Sequence, residues 1–153
     1  MKLLPALLFS LLLIAAAACG GSVSMRAPDG FAELGNQKGY AYRATNAQGV
    51  VIAVRKEANN PRGDLSFWSG AVDAHLRRAG YTAVTGSEVK TDSGVTGQQI
   101  RYKVIRGNRE HAFWVTVFVV DDTVVTVEVG GDHAFFDALE EPIAKAIKSL
   151  KIG

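Results

Sequence analysis

The sequence predicts an α+β fold: an antiparallel β-sheet with two amphipathic helices packed on one face. Three observations predict it. His111 to Val120 is a run of β-branched and aromatic residues without formal charge, too short for a buried helix and too apolar for an edge strand. Two stripes of apolar residues recur at helical spacing, one between Leu65 and Ala79 and one between Phe136 and Leu150. Between and around them lie alternating segments separated by turn residues, of which Gly107-Asn108 is the clearest.

The first 18 residues read as a leader. Met1-Lys2 is followed by an apolar stretch from Leu3 to Ile14 and by small residues up to Cys19. That is the layout of a secretory signal, and it is shorter than the roughly 20 apolar residues of a membrane span. The single cysteine of the chain stands at its end. Ala16-Ala17-Ala18-Cys19 resembles the lipobox of bacterial lipoproteins, in which the chain is cut before the cysteine and its thiol is acylated (a palmitate-type anchor). An ordinary signal peptide, cut at the same bond after an Ala16-x-Ala18 site, is the alternative. Two acyl chains give stable anchoring, since each buried CH₂ contributes about 0.8 kcal/mol. Gly20 follows the cysteine, and by the enterobacterial sorting rule a residue other than Asp favours the outer membrane.

Gly20 to Ala27 reads as a small polar tether, so residues 19–27 carry the anchor and residues 28–153 the folded domain. Pro28-Asp29-Gly30-Phe31 is a turn presenting an aromatic to the core. Gly39–Thr45 and Val50–Glu57 form a hairpin. A three-residue loop, Ala47 to Gly49 with Gly49 in the left-handed region, pairs Asn46 with Val50 and puts Tyr42, Ala44, Ile52 and Val54 on one face. Asp64 is the N-cap of the first helix, whose stripe is Leu65, Trp68, Val72, Leu76 and Ala79, and Gly80 closes it.

Tyr81 to Thr91 is a strand and Asp92 to Gly94 its turn. Val95 to Ile105 alternates, with Ile100, Tyr102 and Val104 opposite to Gln99, Arg101 and Lys103. A two-residue turn at Gly107-Asn108 pairs Arg106 with Arg109, Tyr102 with Phe113 and Ile100 with Val115. Phe113, Val115, Val117 and Val119 then belong to the core face. Val125, Val127 and Val129 must share it, because Thr126 and Glu128 alternate with them. That demands a three-residue turn, Asp121 to Thr123, because a two-residue turn would pair Val125 with Phe118. Pairing of Val119 with Val124 would contradict this expectation. Gly130-Gly131 breaks the sheet, Asp132 caps the last helical region, and the main helix starts near Pro142, where a missing N–H is tolerated.

Few chemistries find support. After loss of residues 1–18, which contain Lys2 and no acid, 16 basic side chains face 15 acidic ones. This balance offers no basic stripe for nucleic acid. His75, His111 and His133 fall in different elements without metal-ligand spacing, and no nucleophile motif or phosphate loop is present. No catalytic residue, metal ligand or cofactor is assigned. The surface singled out is the outer face of the central strands, where Trp114 lies opposite Arg101 and Phe118 opposite Thr126. Either Arg101 stacks on Trp114 and a loop covers Phe118, or Trp114, Phe118 and Arg101 mark a protein contact.

Pro28-Asp-Gly-Phe31, the mid-chain helix ending at Ala79-Gly80-Tyr81, and the closing Phe136 to Ile152 segment with Ser149-Leu150 resemble the PsbP-like superfamily. This superfamily includes the photosystem subunit, the Ran-binding Mog-one proteins and DcrB-type bacterial lipoproteins. The resemblance spans residues 28–152 and implies a sandwich that acts by binding larger partners, with no site residue carried over. The expectation is therefore a non-enzymatic, lipid-anchored envelope lipoprotein on the periplasmic side of the outer membrane, which binds or scaffolds another envelope component. A periplasmic small-ligand module, with a cavity of roughly 300 Å³ or more, is the alternative; a hydrolase ranks below both.

Overall fold

The computed structural model describes residues 21–35 and 37–153. Residues 1–18, expected to be a leader, Cys19 and Gly20 lie outside the described residues. Among the described residues nine strands and two α-helices follow in the order β1 (Val23–Ser24), β2 (Phe31–Glu33), β3 (Tyr42–Asn46), β4 (Val51–Ala58), α1 (Leu65–Arg78), β5 (Thr82–Lys90), β6 (Thr96–Arg106), β7 (Arg109–Val120), β8 (Thr123–Asp132), α2 (Glu140–Lys148) and β9 (Lys151–Ile152). Seven strands form one antiparallel sheet ordered β2-β3-β4-β8-β7-β6-β5, and β1 pairs with β9 separately.

Local chemistry accounts for the elements. The β3–β4 loop closes as its residues dictate: Gly49 has φ +78°, Asn46 N–H donates to the Val50 carbonyl at 3.1 Å, and Tyr42 lies opposite Val54. The Asn46 side chain reinforces the loop, its Oδ1 accepting from Val50 N–H at 2.9 Å. Asp64 caps α1 by accepting from Phe67 N–H at 2.8 Å, and Gly80 ends the helix with φ +89°. The Gly107-Asn108 hairpin has the expected register, Arg106 opposite Arg109 and Tyr102 opposite Phe113. Asp132 accepts from Ala134 N–H at 3.1 Å and starts two short 3-10 turns, after which α2 begins with Pro142 in its first turn.

The helices lie on opposite faces of the sheet, not on one. On the α1 face, Leu65, Trp68, Val72 and Leu76 pack over Tyr102, Val115, Val117 and Val124. On the α2 face, Phe136, Ile143, Ala146, Ile147 and Leu150 pack over Ile52, Val54, Trp114, Phe118, Val125, Val127 and Val129. A sheet with two dry faces removes the premise that all valines must share one. Consistent with that, the β7–β8 turn has two residues, Asp121 (φ +49°) and Asp122, and Val119 pairs with Val124. Phe118 is thus opposite Val125, where the sequence suggested Thr126. Asp is among the few residues that enter the left-handed region at small cost, which permits this turn.

Two further expectations are corrected. Gly130-Gly131 does not end the sheet: β8 runs through both, because a Cβ at Gly131 would sit 2.9 Å from a Val50 methyl and one at Gly130 3.2 Å from the Phe113 ring. Glycine here lets neighbouring side chains approach the strand. The expected free tether is also shorter. Val23-Ser24 pairs with Ile152-Lys151, Met25 is buried, and Arg26 N–H donates to Ser149 Oγ at 2.9 Å.

Candidate functional site

The α2 face carries a groove between α2 and the β5–β6 ribbon. Its floor follows from strand alternation. Gln99, Arg101 and Lys103 of β6 point to this face, and the β6–β7 register sets Arg101 across from Trp114. The Arg101 guanidinium carbon lies 4.0 Å from the Trp114 ring centroid, a cation–π contact. On its other side the same guanidinium bonds Glu140 Oε1 of α2 at 2.7 Å, while its Nε donates to Gln99 Oε1 at 3.0 Å. Gln99 is buried and donates in turn to Thr116 Oγ1 at 3.1 Å. A polar chain thus runs Thr116, Gln99, Arg101, Glu140, from the middle of the core to the first turn of the helix. Each member is held by the next, so Arg101 is fixed as a bar across the groove.

The bar divides the groove into two open chambers of about 260 Å³ each. One is walled by Val89, Ile143, Ala144 and Ile147, with Lys148 also lining it. The other, toward the Gly107-Asn108 end, has Trp114 and Phe136 beneath it and Lys103, Glu110, His133 and Asp137 around it. Trp114 and Phe136 meet edge-on with centroids 5.0 Å apart. At the rim Lys103 Nζ is 3.4 Å from Glu110, whose other oxygen is 3.8 Å from His133 Nε2. Among the described residues no three His, Cys, Asp or Glu side chains converge closely enough to hold a metal ion.

Of the three residues singled out in the sequence, the structure brings Arg101 and Trp114 together and removes Phe118. Phe118 is 0 % exposed and Trp114 7 %. Neither stands on a face meant for water, since α2 and Phe136 cover that face. Phe118 is core, Trp114 is the floor of the groove, and Arg101 is the member a ligand can touch. Glu140, Gln99 and Ile143 were not singled out. Ile143 sat in plain view on the second helical stripe, but only the position of α2 turns it toward Arg101.

The opposite face holds the strongest perturbation of acid–base behaviour. Tyr102 lies beneath α1 and its hydroxyl donates to Asp73 Oδ1 at 2.9 Å. Burial, then the bond and charge of Asp73, push the Tyr102 hydroxyl well above its usual range. Burial works against the Asp73 carboxylate, but hydrogen bonds from Arg77 and Tyr102 and the Arg77 charge outweigh it and hold Asp73 low. This triplet pins α1 to the sheet from the face opposite the groove.

Among solved structures, LpqN of Mycobacterium tuberculosis, involved in cell envelope biogenesis, superposes with a TM-score of 0.70 at 12 % identity, over 86 % of this chain and 83 % of that one. The yeast Ran-binding protein Mog1p of Saccharomyces cerevisiae gives 0.63 at 11 % identity, over 86 % and 90 %. Cyanobacterial PsbP from Synechocystis gives 0.58 at 11 %, over 86 % and 93 %. The chain has the PsbP-like fold. No family model matches it, and no curated protein matches it in sequence. At these identities the likeness concerns the fold, and the resemblance drawn from the turn, the mid-chain helix and the closing segment is met at that level.

Proposed function

We propose that this PsbP-like domain is a non-catalytic binding module of the bacterial cell envelope, lipid-anchored through Cys19, whose α2-face groove takes an extended segment of another envelope protein. The observation that carries the reading is the fixed Arg101 bar over Trp114. It leaves two open chambers of about 260 Å³ each, one on either side of a fixed cation. An extended chain could lay side chains into both chambers and pair with Arg101 or Glu140 between them. Support for the envelope comes from LpqN, a protein of envelope biogenesis with the same fold, and support for protein binding from Mog1p, a Ran-binding protein. Among the described residues no helix is long and apolar enough to cross a membrane.

Because β1 is docked, only four residue steps separate Cys19 from Val23, a reach of about 14 Å. A lipid on Cys19 would hold the domain against its membrane, in the outer membrane if the residue after the cysteine sorts it there. A photo-crosslinking residue at Ala144, in the groove, is expected to capture a partner in intact cells, whereas one at Glu57, away from it, is not. Equal capture from both positions, or none, rejects the groove. Labelling with [³H]palmitate is expected in the wild type and not in Cys19→Ala; an unlabelled wild type rejects the anchor.

A further inference from the structure

The sheet ends on β5, nine residues long, whereas the other edge strand, β2, has three. Its first half is protected by a bulge between Ala83 and Thr85. From Thr85 to Lys90 the pairing with β6 is regular, and among the described residues no strand pairs with the outer edge of that stretch. Thr91 N–H donates inward to the Val95 carbonyl at 2.9 Å. Backbone groups alternate along a strand, so Val89 and Ser87 also bond inward, and Glu88 and Lys90 point their N–H and C=O groups outward.

This orientation restricts what can pair with the edge. If a second copy adds antiparallel to the same segment, outward groups must meet outward groups, so even-numbered residues pair with even-numbered ones. Centring the two copies on Glu88 sets Glu88 against Glu88, and centring on Lys90 sets Lys90 against Lys90. Centring on Val89 sets Glu88 against Lys90 twice and Val89 against Val89. Glu88 and Lys90 both lie on the α1 face, opposite Gln98 and Thr96, and among the described residues neither has an ionic partner within its own chain. Val89 lies on the other face, beside the groove.

We infer that two copies of this chain associate edge to edge through β5, in the antiparallel register centred on Val89, with reciprocal Glu88–Lys90 pairs. The ladder is short, because Asp92 N–H is already given to the Lys148 carbonyl at 2.8 Å. Four outward hydrogen bonds and two charge pairs make a reversible dimer. The two-fold axis stands perpendicular to the sheet, so the α2-face grooves of the copies open side by side. The inference stands on the strand edge alone and does not depend on the ligand of the groove.

The test is disulfide crosslinking of the full chain in intact cells, with the unmodified chain as control for Cys19. Across a non-hydrogen-bonded pair the Cα atoms are about 4.5 Å apart, within disulfide reach. Val89→Cys is therefore expected to give a dimer band, and Ser87→Cys, displaced along the ladder, a band at least several-fold weaker. In the Val89→Cys chain, Lys90→Glu should weaken association about tenfold by placing like charges opposite each other. Glu88→Lys added to Lys90→Glu should restore it. Equal bands from Ser87→Cys and Val89→Cys, no band, an adduct with a different protein, or failure of the double exchange to restore the dimer would each overturn the inference.

Discussion

The two faces of the sheet are built differently, and the difference explains both where the core is deepest and where a ligand can enter. The α2 face is dry across four strands: Ala44, Ile52, Val54, Val125, Val127, Val129 and Phe118 are inaccessible to solvent beneath α2, Phe136 and the β1–β9 pair. The α1 face is covered over β5, β6, β7 and Val124 at the start of β8, and its lid is fastened by polar bonds through Tyr102 and Asp73. Beyond α1 the same face is wet, and Arg55 there lies 4.1 Å above the Tyr40 ring and 3.3 Å from Glu128. The groove with Arg101 across it lies between α2 and β5, so the better-packed face is not closed over its whole width.

Breaking the deeper face should cost most. Phe118→Ala is expected to destabilise the fold by about 3–5 kcal/mol, against about 2–3 kcal/mol for Leu76→Ala on the α1 face. Equal losses in urea denaturation would remove the contrast. Gly97→Ala should cost about 1–3 kcal/mol, because its Cβ would lie 2.5 Å from the Phe118 ring. The α1 face should instead show its polar fastening. Asp73→Asn is expected to cost about 1 kcal/mol at neutral pH. Since Asp73 is held below its unfolded range, its contribution is present above the unfolded pKa, near 4, and is lost as pH falls through the folded value. Wild type and variant should therefore converge in stability in acid; a gap that persists at low pH would contradict the assignment. Asp64→Ala, which removes only the cap of α1, should cost about 1 kcal/mol by thermal unfolding.

Where turn chemistry set the register, the fold was legible. Gly107-Asn108 admits one common hairpin geometry, and every pair that follows from it is found. Asp121-Asp122 was misread because one wet face was assumed. The contrary signal was present in β7 itself, where Ala112, Trp114 and Phe118 alternate with Phe113, Val115, Val117 and Val119, leaving neither side polar. A strand apolar on both sides asks for two lids. The groove was less legible. Arg101 over Trp114 follows from register, whereas the Glu140 contact joins residues 39 apart and depends on where α2 lands.

The central claim is that Val125, Val127 and Val129 lie with Trp114 and Phe118 under α2. A NOESY spectrum of the folded domain tests it most directly. The structure requires a close Hα–Hα contact between Val119 and Val124, a non-hydrogen-bonded pair, and contacts from the Phe118 ring to the Val125 methyls. An Hα–Hα contact between Val119 and Val125 instead, with the Val125 methyls against Leu76 of α1, would contradict it.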